Sequence, residues 1–106
     1  MPRPRKHRCC RRYDDRRVFK PLGLPLRELS LVRLGVDEFE ALRLCDGEGL
    51  DQTSAGRRMG VSRGTIQRLV GAARGKIVDA LLHRQAILIA ASDEEDDDAG
   101  LHTHRE

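Results

Sequence analysis

Gln52-Thr53-Ser54-Ala55-Gly56-Arg57-Arg58-Met59-Gly60-Val61-Ser62-Arg63-Gly64-Thr65-Ile66-Gln67-Arg68-Leu69-Val70-Gly71 is the stretch on which the fold turns. With Gln52 as the first position of a helix-turn-helix window, Ala55 and Gly56 fall where two helices cross and only small side chains fit. Gly60 falls at the turn, where a left-handed backbone costs a residue with a Cβ about 1–2 kcal/mol. Met59, Val61, Ile66 and Leu69 supply the apolar set that seals the two helices together. The pattern predicts helices over about 52–59, capped by Asp51, and 63–83, capped by Ser62. The apolar positions Ile66, Leu69, Val70, Ala73, Ile77, Ala80 and Leu81 keep one face of a 3.6-residue period through the second of these.

Moving towards the N-terminus, Asp37-Glu38-Phe39-Glu40 has the form of a capping box, with Asp37 as the cap and Glu40 reaching back. A helix over about 38–46 follows, with Phe39, Leu42 and Cys45 on its apolar stripe, Leu44 off it, and Gly47 and Gly49 ending it. Residues 20–35 are punctuated by Pro21, Gly23 and Pro25 before turning apolar, which suggests a turn and then a short helix or an extended segment. Ala86-Ile87-Leu88-Ile89-Ala90-Ala91 reads as a short strand or a final packing segment. The expected fold is mainly α: a small helix-turn-helix bundle with an extended N-terminal arm and a short C-terminal strand.

Charge divides the 106-residue chain into three. Residues 1–20 hold nine Lys or Arg against Asp14 and Asp15, a net of +7, whereas 92–106 hold seven acids against Arg105, a net of −6. The expected organisation is a basic flexible arm over 1–19, one domain over 20–91 and a disordered acidic tail over 92–106. Only 3% of the residues are aromatic, so the core must be aliphatic and small. No apolar run is long enough for a membrane span or a secretory signal, which points to a cytoplasmic protein associated with the nucleoid.

A helix-turn-helix lays the N-terminal part of its second helix in the major groove of DNA. There Arg can bond guanine O6 and N7 together and Gln can bond adenine N6 and N7, so Arg63, Gln67 and Arg68 are the candidates for base readout. Ser62 and Thr65 stand beside them, and Gln52 and Thr53 would meet phosphate through the free N–H groups that begin the preceding helix. In the arm, Arg3 and Arg5 suit a minor groove and Lys6 suits phosphate. Gly64, Arg68, Gly71 and Gly75 share the face opposite the apolar stripe, where each glycine costs an exposed helix about 1 kcal/mol. Either the smooth face admits DNA closely, or packing behind it compensates for the weakness.

Cys9 and Cys10 could bind a metal with His7 or respond to oxidation, but the spacing lacks a second cysteine pair. Cys45 reads as a small core residue. No catalytic arrangement of Ser, His and Asp or of paired carboxylates stands out, so no enzyme, no metal and no cofactor is expected. The partner expected is double-stranded DNA, bound by a homodimer, because one such unit covers a half-site. The alternatives are a metal- or redox-responsive regulator using Cys9 and Cys10, and an adaptor whose hairpin docks another protein.

Several stretches together resemble a known family. They are Met1-Pro2-Arg3-Pro4-Arg5-Lys6, Phe19-Lys20-Pro21 with Gly23, Pro25-Leu26-Arg27-Glu28-Leu29, Asp37-Glu38 with Glu40-Ala41-Leu42-Arg43-Leu44, Glu48-Gly49-Leu50, and Met59-Gly60-Val61-Ser62-Arg63 with Thr65. Over roughly residues 1–91 they are similar to uncharacterised protein family 0251, also called domain of unknown function 134. The resemblance implies a prokaryotic predicted DNA-binding protein, with a helix-turn-helix like region four of sigma factors, and by implication a transcription regulator. Members usually carry Ala where Gly56 stands and larger polar residues where Gly64, Gly71 and Gly75 stand. The acidic tail lies outside the shared pattern.

Overall fold

The computed structural model describes residues 17–90. Strand β1 (Arg17–Phe19) leads through a short 3-10 turn at Leu26–Glu28 to strand β2 (Leu31–Gly35). Helix α1 (Val36–Leu42) follows without a loop and widens into a π turn at Arg43–Gly47. Helices α2 (Gln52–Met59) and α3 (Arg63–His83) come next, and strand β3 (Ala86–Ala90) closes the order. The fold is mainly helical, with one small sheet.

That sheet has the order β1-β3-β2. β3 runs antiparallel to β1, with Val18 opposite Leu88, and parallel to β2, with Leu34 opposite Ile89. A central strand has neighbours on both edges, which suits the unbroken apolar run Ala86-Ile87-Leu88-Ile89-Ala90. A parallel partner requires a crossover, and all three helices form it. Of these, α1 and α3 pack on the face that carries Leu34, Ile87 and Ile89, where Ala73 of α3 is buried and Phe39, Leu42 and Ile77 are partly buried. A second cluster, Ala41, Leu44, Ala55, Met59, Ile66, Leu69 and Val70, joins α1, the π turn, α2 and α3. Leu42 belongs to the rim of both clusters, so α1 is the hinge between sheet and helices.

Four sequence expectations are corrected here. The sheet has three strands, where the sequence suggests a strand at 86–91 and, over 20–35, a turn followed by a short helix or an extended segment. β2 settles that choice for the extended form, and β1, three residues long, carries no strand pattern of its own. Arg17–Phe19, read as the end of the arm, is the edge strand on β3. The first helix begins at Val36, not Glu38, and its cap is Gly35: the Gly35 N–H donates to Glu38 Oε1 at 2.8 Å. Because β2 feeds directly into the helix, Asp37 already lies in the first turn, where its Oδ1 accepts the Glu38 N–H at 2.7 Å.

The fourth correction concerns the end of that helix. In the π turn the Glu48 N–H reaches Arg43 O at 2.9 Å and the Leu50 N–H reaches Leu44 O at 3.0 Å. The wider turn holds an extra residue and shifts the phase of the side chains. Leu44, expected off the stripe, is therefore fully buried, while Cys45 is only half-buried at the rim of the cluster. Glu40 does not reach back to a cap; it is buried and binds Arg43 through two bonds of 3.0 and 2.8 Å. Arg43 also donates to Glu48, and this double pairing raises its pKa, so the guanidinium stays charged at every accessible pH. From α3, Lys76 Nζ donates to Glu38 Oε1 at 2.8 Å and to Arg33 O at 2.9 Å, which pins α3 to the β2–α1 junction.

Candidate nucleic-acid interface

The corner between α2 and α3 is built by local chemistry. Asp51 Oδ1 accepts the Ser54 N–H at 2.7 Å and starts α2. That bond stabilises the ionised carboxylate and lowers the pKa of Asp51. Gly60 ends the helix at φ 73°, in the left-handed region, and the Val61 N–H then bonds Gly56 O at 2.9 Å. Gly56 itself is buried, and a Cβ there would stand 2.6 Å from Val61 O. Its role is to let the turn lie against α2. Ser62 Oγ accepts the Thr65 N–H at 3.1 Å and starts α3, and the Ser62 and Thr65 hydroxyls are themselves 3.1 Å apart. Both hydroxyls are thus engaged in capping, a structural task that accompanies any surface role.

Arg63, Gly64, Gln67 and Arg68 are all exposed on the first two turns of α3, and Gly71 and Gly75 continue the outer face with nothing within 4 Å of an added Cβ. The two glycines therefore contribute no packing. Gln52 and Thr53 at the start of α2 line the same cleft as Arg63, a space of about 500 Å³ floored by Cys45, Leu50 and Val70. Asp46, Asp51 and Arg74 complete its walls. Arg3, Arg5 and Lys6 lie outside the described residues, as do Cys9, Cys10 and the acidic tail.

Three cations were missed by the sequence reading. Arg57 and Arg58 are exposed on the last turn of α2, and Arg74 sits on the outer side of α3. Their signal is plain in retrospect: between Asp51 and Asp79 the chain has six Lys or Arg and no acid. Three of the six are held by acids from elsewhere. Arg74 grips Asp46 through bonds of 2.7 and 3.0 Å, Lys76 pairs with Glu38, and Arg58 stands 3.6 Å from Glu48. The Arg74 bonds lower the pKa of Asp46 and raise that of Arg74. Among the described residues, Arg57, Arg63 and Arg68 have no ion-pair partner, so the positive charge concentrates at the corner itself.

Cys45 faces this cleft as a protonated thiol, because burial pushes its pKa up and the Asp46 carboxylate adds to the effect. A thiol held protonated in this way is a poor nucleophile. Among the described residues no three His, Cys, Asp or Glu side chains stand close enough to hold a metal ion, and no helix is long and apolar enough to cross a membrane.

The family described as "Protein of unknown function DUF134" matches residues 1–97 of the chain. A UPF0251 protein of Vibrio cholerae is 47% identical over 98 residues, covering 92% of this chain and 100% of that one. A UPF0251 protein of Aeromonas salmonicida is 45% identical over 93 residues, 88% of this chain and 91% of its own length. One from Moorella thermoacetica is 48% identical over 92 residues, 84% of this chain and 60% of its own. No solved structure matches.

Proposed function

We infer that this chain, which belongs to the DUF134 family, binds double-stranded DNA through the α2–α3 corner, used as a helix-turn-helix like that of sigma-factor region four. The observation that carries the reading is the acid-free run between Asp51 and Asp79, whose unpaired cations Arg57, Arg63 and Arg68 crowd one corner. A surface that only needs to be soluble mixes the two signs; a single-sign patch on paired helices suits the phosphate backbone.

In this reading α3 enters the major groove by its N-terminal turns. Arg63 and Arg68 bond guanine edges and Gln67 an adenine edge. The polar side chains of Gln52 and Thr53 meet a phosphate at the start of α2. Arg57, at the far end of α2, adds a second phosphate contact. Arg3, Arg5 and Lys6 of the arm add minor-groove and phosphate contacts. The role is that of a transcription regulator in the prokaryotic cytoplasm, which binds and does not catalyse.

Fluorescence anisotropy of the full chain on labelled duplex DNA, across a salt series, tests this. Each neutralised phosphate adds about 0.9 to the slope of log affinity against log salt. Arg57→Ala is expected to lower that slope by about one contact on any duplex. Absence of duplex binding at low salt, or binding indifferent to salt, would sink the reading. Genome-wide mapping of bound sites then supplies the operator.

A further inference from the structure

We propose that the acidic run 93–98 is the partner of the basic segment 8–12 of the same chain, and that the two meet where the β1–β3 pairing continues beyond the sheet. Both segments lie outside the described residues, but the strands that deliver them do not. β1 and β3 are antiparallel, with Arg17 opposite Ile89, Val18 opposite Leu88 and Phe19 opposite Ile87. The chain entering β1 and the chain leaving β3 therefore stand side by side at one end of the sheet, about 5 Å apart.

Carried outward, the same register sets Arg12 opposite Glu94, Arg11 opposite Glu95 and Arg8 opposite Asp98. Asp14 and Asp15, the two acids of the N-terminal stretch, fall opposite the uncharged Ser92 and Ala91. No acid of the run 93–98 meets an acid, and three meet an arginine. Opposite charges directly across an antiparallel pair attract, and like charges repel. The register that the sheet fixes is thus one in which the two stretches are complementary in charge.

The other side of β3 offers the acids no such partner. β2 ends at Gly35, opposite Ala90, and turns at once into α1, whose first turn carries Asp37 and Glu38. Acids leaving Ala90 meet acids on that side. On the β1 side stand the five arginines Arg8, Arg11, Arg12, Arg16 and Arg17. Pairing neutralises the arm to which the duplex reading gives phosphate and minor-groove contacts, so the tail competes with DNA from within the chain. That consequence rests on the duplex reading, whereas the pairing itself does not.

Amide NMR spectra of the full chain without DNA test the pairing. A full-length variant with Asp93, Asp96, Asp97 and Asp98 changed to Asn and Glu94 and Glu95 changed to Gln is expected to move the amide signals of Arg8, Arg11 and Arg12. The signals of α1 to α3 should stay in place, and dilution should change nothing. An unmoved 8–12 segment, movement at Arg57, Arg63 and Arg68 in its stead, or shifts that vanish on dilution would overturn the proposal. On labelled duplex the same variant should bind about tenfold more tightly at low salt, with the gain shrinking as salt rises. A gain that persists undiminished when Arg8, Arg11 and Arg12 are all changed to Ala would mean general repulsion of DNA by the tail and would also overturn it. If the amides move and no duplex is bound, the duplex reading falls and the pairing stands.

Discussion

Single residues govern the corner in opposite directions. Gly60 is left-handed because the chain must reverse within three residues, and an alanine there meets its own carbonyl. Gly60→Ala should destabilise the fold by about 1–2 kcal/mol, read as a lower urea midpoint at unchanged slope. Gly75 is the contrary case: it is mid-helix, exposed, and has open space around an added Cβ. Gly75→Ala should stabilise by about 1 kcal/mol and raise Tm. If it does so without changing DNA affinity, the glycine face is a tolerated weakness; a loss of affinity would mean the bare backbone is used.

Asp46 and Asp51 carry a further consequence. Both have folded pKa values below the ordinary carboxylate value, Asp46 through the Arg74 bond and Asp51 through the Ser54 bonds. A depressed folded pKa contributes stability that is fully present above the unfolded value of about 3.9 and is lost as pH falls through the folded value. Urea midpoints should therefore be level from neutral pH down to about 5 and fall below about 4. The double variant Asp46→Asn with Asp51→Asn should start lower at neutral pH and show a shallower acid limb.

At the scale of elements, α3 has two ends with different work. Its first turns present Arg63, Gln67 and Arg68 to solvent while Ile66, Leu69 and Val70 hold it to α1 and α2. Because the three polar side chains support no packing, Arg68→Ala should leave Tm unchanged. It should cost about 1–3 kcal/mol of binding on a cognate site and much less on unrelated duplex. Equal losses on both would reassign Arg68 from base readout to phosphate. The π turn shows why an element can mislead a sequence reading. Periodicity assumes one residue every 100°, and the extra residue breaks that count between Leu42 and Leu50. The bonds of Arg43 to Glu40 and Glu48 hold the widened turn; Glu40 is the i,i+3 partner that helical spacing names, whereas Glu48, across the π turn, is not.

For the whole molecule, β3 is the element on which the domain closes. Leu88 is fully buried at the centre of the middle strand, opposite Val18 on one side and Arg33 on the other. Leu88→Ala should cost about 2–5 kcal/mol, the range for buried large-to-small changes. Urea unfolding followed by circular dichroism would measure it; a cost under 1 kcal/mol would mean that the sheet is dispensable to the helices. The closing strand also places the C-terminal half of α3 along the sheet, with its outer flank uncovered.

The sequence alone determined what depends on neighbours within a turn or two. Asp51, Gly60 and Ser62 bound α2 and α3 through their own backbone and capping chemistry, and the 3.6-residue period of α3 names its buried side as far as Ala80. Leu81, read on the same face, is exposed because the seam has rotated past it. The exposed candidates Arg63, Gln67 and Arg68 follow from the same period. Only the tertiary structure decided that residues 17–19 and 31–35 are strands, because their pairing energy comes from β3, more than fifty residues away in the chain. It also decided which cations are left for a partner. Spacing cannot show that Asp46 occupies Arg74 or that Glu38 occupies Lys76, since ion pairs depend on distances in space, and folding sets those distances.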